Sequence, residues 1–321
     1  MDIDILCMGN ASYDIYFPMD AFPEEDMKYS LEIFLEACGG PAANAAYLLG
    51  MWKAPCGFAG CVGNDPYGRE IIRSFQSAGV DTSFIEMREG YHTPLSCIIT
   101  NTTNGSRTIL NRRHIGNNMA FPEDALMQNA AAGKGGPKYL HFDSHEYAAS
   151  LRALEMFPAA VSVLDAGSRR PATEELSGKV DHLLCSESFA AAMTGINKME
   201  TMAEQVRCAG GLMEINPRPG CFTLGDNGLV FWEHEGVFHL PAFPVRAVDS
   251  TAAGDIFHGA FLYSCWRGNN FSDSLLFSSA TAALSVQKHG GRPSIPPVYE
   301  VENFIARHAA AGTLPAPRRI R

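Results

Sequence analysis

Short apolar runs ending at glycine or an acidic residue recur along the chain, separated by stretches with helical spacing. Ile3-Asp-Ile-Leu-Cys-Met-Gly9 is the first, and it predicts a buried strand. Asn10 to Asp14 follow, which puts Asp14 just past that strand's carboxyl end, where ligands of open α/β sheets gather. An ordinary solvated turn residue would fit the same position. Phe58–Gly63, Tyr139–Asp143, Ser162–Asp165, Asp181–Ser186 and Phe222–Thr223 read as further strands. Helices are predicted from Pro41 to a stop at Gly50, from the turn at Asn64–Gly68 through Ser77, and over Ile256–Trp266, Ser274–Val286 and Val298–Ala310. Strands alternating with helices in this way predict an α/β fold with a mostly parallel central sheet.

Two segments break the pattern. The first, about 13–38, alternates poorly and carries Pro18, Pro23 and an acidic patch. The second, about 92–114, reads as a hairpin of Thr93–Thr100 and Arg107–Asn111 around Asn104-Gly105. Together they predict a small sheet standing apart as a lid that keeps water from a site beneath it. Residues 1–312 then form one domain, and the Pro- and Arg-containing tail 313–321 reads as loose.

Composition narrows the class. Of 321 residues, 46% are hydrophobic and 19% charged, enough for a large core and against extensive disorder. The net charge of -10 argues against general binding of nucleic acid or a membrane surface. Nine cysteines without a C-x-x-C pair read as reduced core residues. Met1-Asp-Ile-Asp4 runs straight into a strand, and no apolar stretch reaches the ~18 residues of a membrane span, so the expectation is a cytoplasmic protein.

Candidate chemistry gathers at two places. In Ala247-Val-Asp-Ser-Thr-Ala-Ala-Gly-Asp255, the small residues Ala252, Ala253 and Gly254 free backbone amides at a helix start, a ready anion site. Asp255 beside a bound phosphate would be repelled unless it serves as a general base toward an attacking hydroxyl. A plain helix capped by Asp249 or Ser250 would use the same residues. In Cys38-Gly-Gly-Pro-Ala-Ala-Asn44, a polar Asn44 stands in the first turn of an apolar helix, near amides that could hold the hydroxyls of a small ligand. His141, Asp143 and His145 lack a third ligand on one strand face, so a metal reading is not favoured. No phosphate-loop motif and no G-x-G-x-x-G occurs.

Asp249-Ser-Thr-Ala-Ala-Gly-Asp255 with Phe257 and Gly259, together with Gly39-Gly40-x-x-x-Asn44, resembles the two signatures of the ribokinase-like (PfkB) carbohydrate kinases. The likeness runs from Ile3 to about Ile305. It implies a three-layer ribokinase-like fold with a small β-sheet lid that often pairs two subunits into a homodimer. By the same resemblance, ATP with Mg²⁺ phosphorylates a sugar hydroxyl, Asp255 is the base, and the amides of Ala252, Ala253 and Gly254 steady the transferring group. Asp14, Gly40 and Asn44 would hold the sugar, and Ser186, Thr223, Gly225, Gly228 and Gly254 the nucleotide. A K⁺ site used by many members would fall at Asp249, Thr251, Ser285, Lys288, Gly290 and Ser294.

One element departs from the family. The N-x-x-E motif that helps place Mg²⁺ should fall at Ser186 to Phe189, where both end residues are missing and Glu187 is the nearest carboxylate. Sulfofructose kinase and ketohexokinase look similarly altered there. Thr93–Ile109 is similar to ketohexokinase, and Cys185-Ser-Glu187, Phe257-His-Gly259 and Gly290-Gly-Arg292 to sulfofructose kinase. Lys28 and Asn111 match that enzyme's sulfonate contacts, and Arg112 and Arg113 add charge nearby. A ketose, neutral or anionic, is the expected acceptor. A nucleoside kinase using Phe17, Phe34 or Tyr13 as a base platform stays open, as does a non-catalytic sensor.

Overall fold

The computed structural model describes residues 3–32, 34–103, 106–112, 119–129 and 135–321. In chain order its elements are β1 (Ile5–Met8), β2 (Ser12–Met19), β3 (Leu35–Gly39), α1 (Pro41–Met51), β4 (Cys56–Gly63), α2 (Pro66–Ala78), β5 (Ile85–Arg88), β6 (Leu95–Asn101) and β7 (Arg107–Arg112). There follow α3 (Glu123–Asn129), β8 (Tyr139–Phe142), α4 (Tyr147–Met156), β9 (Val161–Ala166), α5 (Pro171–Ser177), β10 (His182–Ser186), α6 (Glu187–Thr194), α7 (Met202–Ile215) and β11 (Gly220–Thr223). The chain closes with β12 (Leu229–Glu233), β13 (Gly236–Leu240), α8 (Ala253–Trp266), α9 (Phe271–Ser285), α10 (Val298–Ala310) and β14 (Arg318–Arg319).

Ten strands form the main sheet in the order β14-β13-β12-β11-β10-β9-β8-β1-β4-β5. The run from β11 to β5 is parallel, and β12 to β14 add an antiparallel edge. All four residues of β1 and all eight of β4 are buried, as expected of strands covered on both faces. Two apolar clusters fill the two sides of the sheet, one around α1 and α8 and the other around α4 to α7. The topology reverses between β1 and β8, the place where such sheets open a crevice.

The predicted small sheet exists as β3-β2-β6-β7, with β6 and β7 antiparallel. The turn at Asn104-Gly105 and Arg113 lie outside the described residues. Among the described residues no helix is long and apolar enough to cross a membrane.

Several local expectations need correction. Gly50 does not stop α1, which runs one residue further; a Cβ at Gly50 would come within 2.7 Å of Ala78 O, so close packing against the end of α2 is its purpose. Phe243–Val248 approaches α8 without strand pairing. The tail is not loose. Arg318 and Arg319 pair with β13, and Arg321 N donates to Val237 O (3.2 Å). Alternation could not show this, because a two-residue edge strand has no periodicity to read.

Candidate functional site

The carboxyl ends of β1 and β8 are stitched together by Asp143. Its carboxylate accepts from Asn10 N (2.9 Å) and His145 N (3.0 Å) and reaches Ala42 N in the first turn of α1 (3.3 Å). Burial would raise its pKa, but the His145 ring and these donors outweigh burial and hold it at about 2. Asp143 therefore anchors α1. His141, one strand turn earlier, is buried with neither ring nitrogen paired among the described residues. Burial, then the neighbouring His258, pulls its pKa down to about 3, so it stands neutral.

Gly39 and Gly40 let the chain turn from β3 into α1 at close quarters. A Cβ at Gly39 would lie 2.0 Å from Asp14 Oδ2, and one at Gly40 would lie 2.2 Å from Asn10 O, with φ +104° besides. Asp14, inside β2 and oriented by Ser12 Oγ (2.9 Å), is thereby pressed against the start of α1. One turn into α1, Asn44 Nδ2 donates to Asp255 Oδ2 at 2.7 Å.

Asp255 stands at the third position of α8, whose start is irregular. Ala252 occupies the N-cap in the left-handed region (φ 58°, ψ 13°) with no side-chain cap, so neither Asp249 nor Ser250 caps this helix. Ala253 N turns back to Ser250 O (3.2 Å), and the first helical bond is Ile256 N to Ala252 O. Helix geometry then leaves the amides of Gly254 and Asp255 as the orphans at this end, with Ala253 engaged rather than free. A Cβ added at Gly254 would meet nothing within 4 Å, so the glycine leaves open space in front of those amides. Burial, followed by the charge of Asp165, pushes Asp255 up to about 7, against the Asn44 hydrogen bond and His258. A carboxylate poised there is matched to proton abstraction near neutral pH.

Two clefts of about 340 Å³ each meet at this helix start, sharing Ser250, Ala253 and Gly254. The first, polar, lies under the small sheet and holds Asp14, Gly40, Asn44 and Asp255, together with Tyr16, Arg107 and Arg292. The second, mostly apolar, holds Thr223, Gly225 and Gly228 with Phe243, Val245 and Phe257. Strand register explains Tyr16 and Arg107. Asp14, Ser96 and Asn111 form one cross-strand row, and Tyr16, Ile98 and Ile109 the next on the same face. Tyr16 was therefore legible as the same-face neighbour of Asp14. Arg292, just after the glycine pair, had no periodic signal to reveal it.

Other predicted residues lie further off. Asn111 is on the cleft face of β7 but does not line the cleft, and Lys28 is exposed in the connection between β2 and β3. Arg112 donates to Thr93 O (3.1 Å). None of the proposed base platforms lines the cleft: Tyr13 packs on Tyr67 (5.0 Å between centroids), Phe17 faces the other side of the small sheet, and Phe34 is exposed. Ser186 pairs in register with Thr223 and caps α6 through Phe189 N (3.0 Å), with Glu187 exposed beside it.

The suggested cation residues do cluster, as a lock between loops. Asp249 accepts from Thr251 N (2.9 Å) and Gly290 N (2.8 Å), and these donors, Gly290 foremost, hold its pKa below the usual range against burial. Ser285 and Ser294 hydroxyls donate to the carbonyls of Ala282 and Gly291, and Lys288 lies 3.7 Å from Glu300.

Comparison with known proteins identifies the family. The chain is 27% identical over 306 residues to a ribokinase of Staphylococcus aureus, covering 92% of this chain and 98% of the relative. It is 25% identical over 292 residues to the ketohexokinase of Mus musculus, covering 87% and 94%. The ribokinase structure from Thermotoga maritima superposes at a TM-score of 0.78 with 25% identity, over 95% of this chain and 99% of that one. The Arabidopsis thaliana ribokinase, solved with ribose and ATP, shares the fold at a TM-score of 0.81 with 21% identity, over 95% and 99%. The pfkB family carbohydrate kinase model matches residues 2–297. Fold, site and family model together place this chain in the pfkB family of carbohydrate kinases, phosphotransferases whose acceptor is an alcohol group.

Proposed function

We propose that this protein transfers the γ-phosphoryl group of ATP to a hydroxyl of a small sugar, with ketoses the first acceptors to test. The observation that carries this is the junction of the two clefts at Gly254. A polar cleft with Asp14, Asn44 and Asp255 lies on one side, and an apolar slot ending at Thr223 and Gly225 on the other. The polar cleft suits a sugar, the slot suits a flat base and ribose, and the orphan amides between them suit a phosphoryl group in transit.

In this reading Asp14 and Asn44 hold the sugar's hydroxyls. Asp255 takes the proton of the attacking oxygen, and the Gly254 and Asp255 amides stabilise the charge spread over the phosphoryl oxygens. The small sheet covers the acceptor and limits transfer to water. Mg²⁺ would neutralise charge on the nucleotide phosphates, and Glu187, next to Ser186 in the strand register of Thr223, or Asp226 in the cleft wall would join its shell through water. A K⁺ ion near Asp249 would be held mostly by backbone oxygens of the loop around Ser285, Lys288, Gly290 and Ser294, and would steady the loop that leads into α8. Tyr13, Phe17 and Phe34 do not line the cleft, but Tyr16 does, so a nucleoside remains the second acceptor class to test.

Alternation puts Ile15, Phe17, Cys97, Ile99 and Leu110 on the face of the small sheet away from the cleft, and Leu110 is 59% exposed. This apolar face supports a homodimer through the lid. The deciding experiment is ADP release from Mg-ATP with fructose, ribose, sulfofructose and nucleosides. One strongly preferred sugar supports the reading, and ATP binding with no transfer to any of them refutes it in favour of a sensor.

A further inference from the structure

Arg292 is one of four charged groups lining the polar cleft, with Asp14, Arg107 and Asp255. It follows Gly291 in the short 3-10 turn 292–294 and is 7% exposed. Its guanidinium lies over the rings of Tyr47 (4.5 Å) and Phe75 (5.1 Å). Nη1 donates to Ser74 Oγ at 2.8 Å and Nε donates to Asn44 Oδ1 at 3.0 Å. Asn44 in turn donates from Nδ2 to Asp255 Oδ2 at 2.7 Å. Four side chains from three helices and a turn thus form one directed chain, Ser74–Arg292–Asn44–Asp255.

We propose that Arg292 is a positioning residue for phosphoryl transfer, fixing the orientation of the Asn44 amide so that its NH₂ end always faces the base. This rests on the kinase reading. An amide side chain has an accepting end and a donating end, and only a donor on one side and an acceptor on the other distinguish them. Arg292 supplies a donor that cannot deprotonate, and its aromatic and Ser74 contacts hold it in one pose. With Oδ1 committed to Arg292, Nδ2 satisfies Asp255 Oδ2 and leaves Oδ1 of Asp255 for the acceptor hydroxyl. Arg292 Nη2 is buried with no partner among the described residues, so the guanidinium is not saturated as a purely architectural one would be.

Losing the guanidinium lets Asn44 turn over, which presents an oxygen to the carboxylate and weakens the one side-chain donor that, among the described residues, holds the base ionised. Asp165, Asp143 and His258 face Asp255 from β9, the end of β8 and its own helix, and they remain in place. Arg292 is itself a cation that interacts with Asp255, so its loss raises the Asp255 pKa both directly and through the turned Asn44. The acidic limb of the pH–rate profile should therefore move upward in Arg292→Gln, while a structural defect would lower the whole profile without moving it.

The test is a double-mutant cycle on kcat/KM for the acceptor, with Arg292→Gln, Asn44→Ala and the pair. The expected result is a loss of about 10²-fold in Arg292→Gln, an unchanged KM for ATP, and a double variant no worse than Asn44→Ala. Additive losses overturn the proposal. Ser74→Ala removes only the outer anchor and should show a smaller loss in the same direction, which covers the case where Arg292→Gln does not fold; no change there counts against the relay. A readout free of catalysis is the side-chain amide signal of Asn44 in protein carrying ¹⁵N-asparagine. It should be displaced and slow to exchange in the wild type and ordinary in Ser74→Ala or Arg292→Gln. An unmoved signal overturns the proposal. If the wild type transfers no phosphoryl group, the kinase reading fails, and the amide signal still decides what Arg292 does.

Discussion

Replacing Asp255 with asparagine should make the protein more stable and nearly inactive, and the stability gain should depend on pH. The carboxyl's rise from 3.8 to about 7 means that the folded state resists its ionisation while the unfolded chain does not. A group raised in this way adds stability that is fully present below pH 3.8 and is lost as pH climbs through 7. For a fully dry carboxyl the loss would be about 4 kcal/mol. Asp255 borders an open cleft, so about 2–3 kcal/mol is the realistic figure. Asparagine does not titrate, and its carbonyl can still accept from Asn44 Nδ2. Its advantage over the wild type should thus grow by about 1 kcal/mol between pH 5 and pH 8, read as a shift of the urea midpoint at constant slope. Turnover should fall about 10³-fold above pH 7, where the wild-type carboxylate is ionised, and the gap should narrow toward acidic pH as the wild type loses its proton acceptor. An advantage that stays flat from pH 5 to pH 8 would refute the argument that burial and Asp165 tune this base. Undiminished turnover would remove Asp255 from the chemistry altogether.

Gly254→Ala tests the anion site from the other side. Its methyl meets nothing in the free protein, so stability should hold or rise by about 0.5–1 kcal/mol, yet transfer should fall at least about 10²-fold because the methyl occupies the phosphoryl position. Gly40→Ala should do the opposite to folding: with φ +104° and a Cβ 2.2 Å from Asn10 O, a loss of about 2–3 kcal/mol in urea unfolding is expected. Leu110→Lys should turn the proposed dimer into a monomer by light scattering, with the fold intact by circular dichroism; a wild type already monomeric at micromolar concentration rejects the interface.

How much of this was legible beforehand depended on the kind of order involved. Buried parallel strands announce themselves as unbroken apolar runs, so β1, β4, β8, β9 and β10 could be placed from sequence to within a residue or two at most of their ends. Asn44 stood out as a polar residue in an apolar helix, Asp14 by its place past the end of β1, and Asp255 as a carboxylate beside a predicted anion site. What stayed hidden is order made by pairing between distant segments. The edge strand at Arg318 exists only because β13 offers it a free side, and Ala252 is bent into the left-handed region where Asp249 or Ser250 would have been the expected cap. Arg292 is the clearest case. Its neighbours in sequence predict a turn, and only folding brings Ser74, Asn44 and Asp255, 218, 248 and 37 positions away, into one line with it. The residues that do chemistry can be found by asking which ones break the local pattern. Those that aim them keep the local pattern, and only their distant partners reveal them.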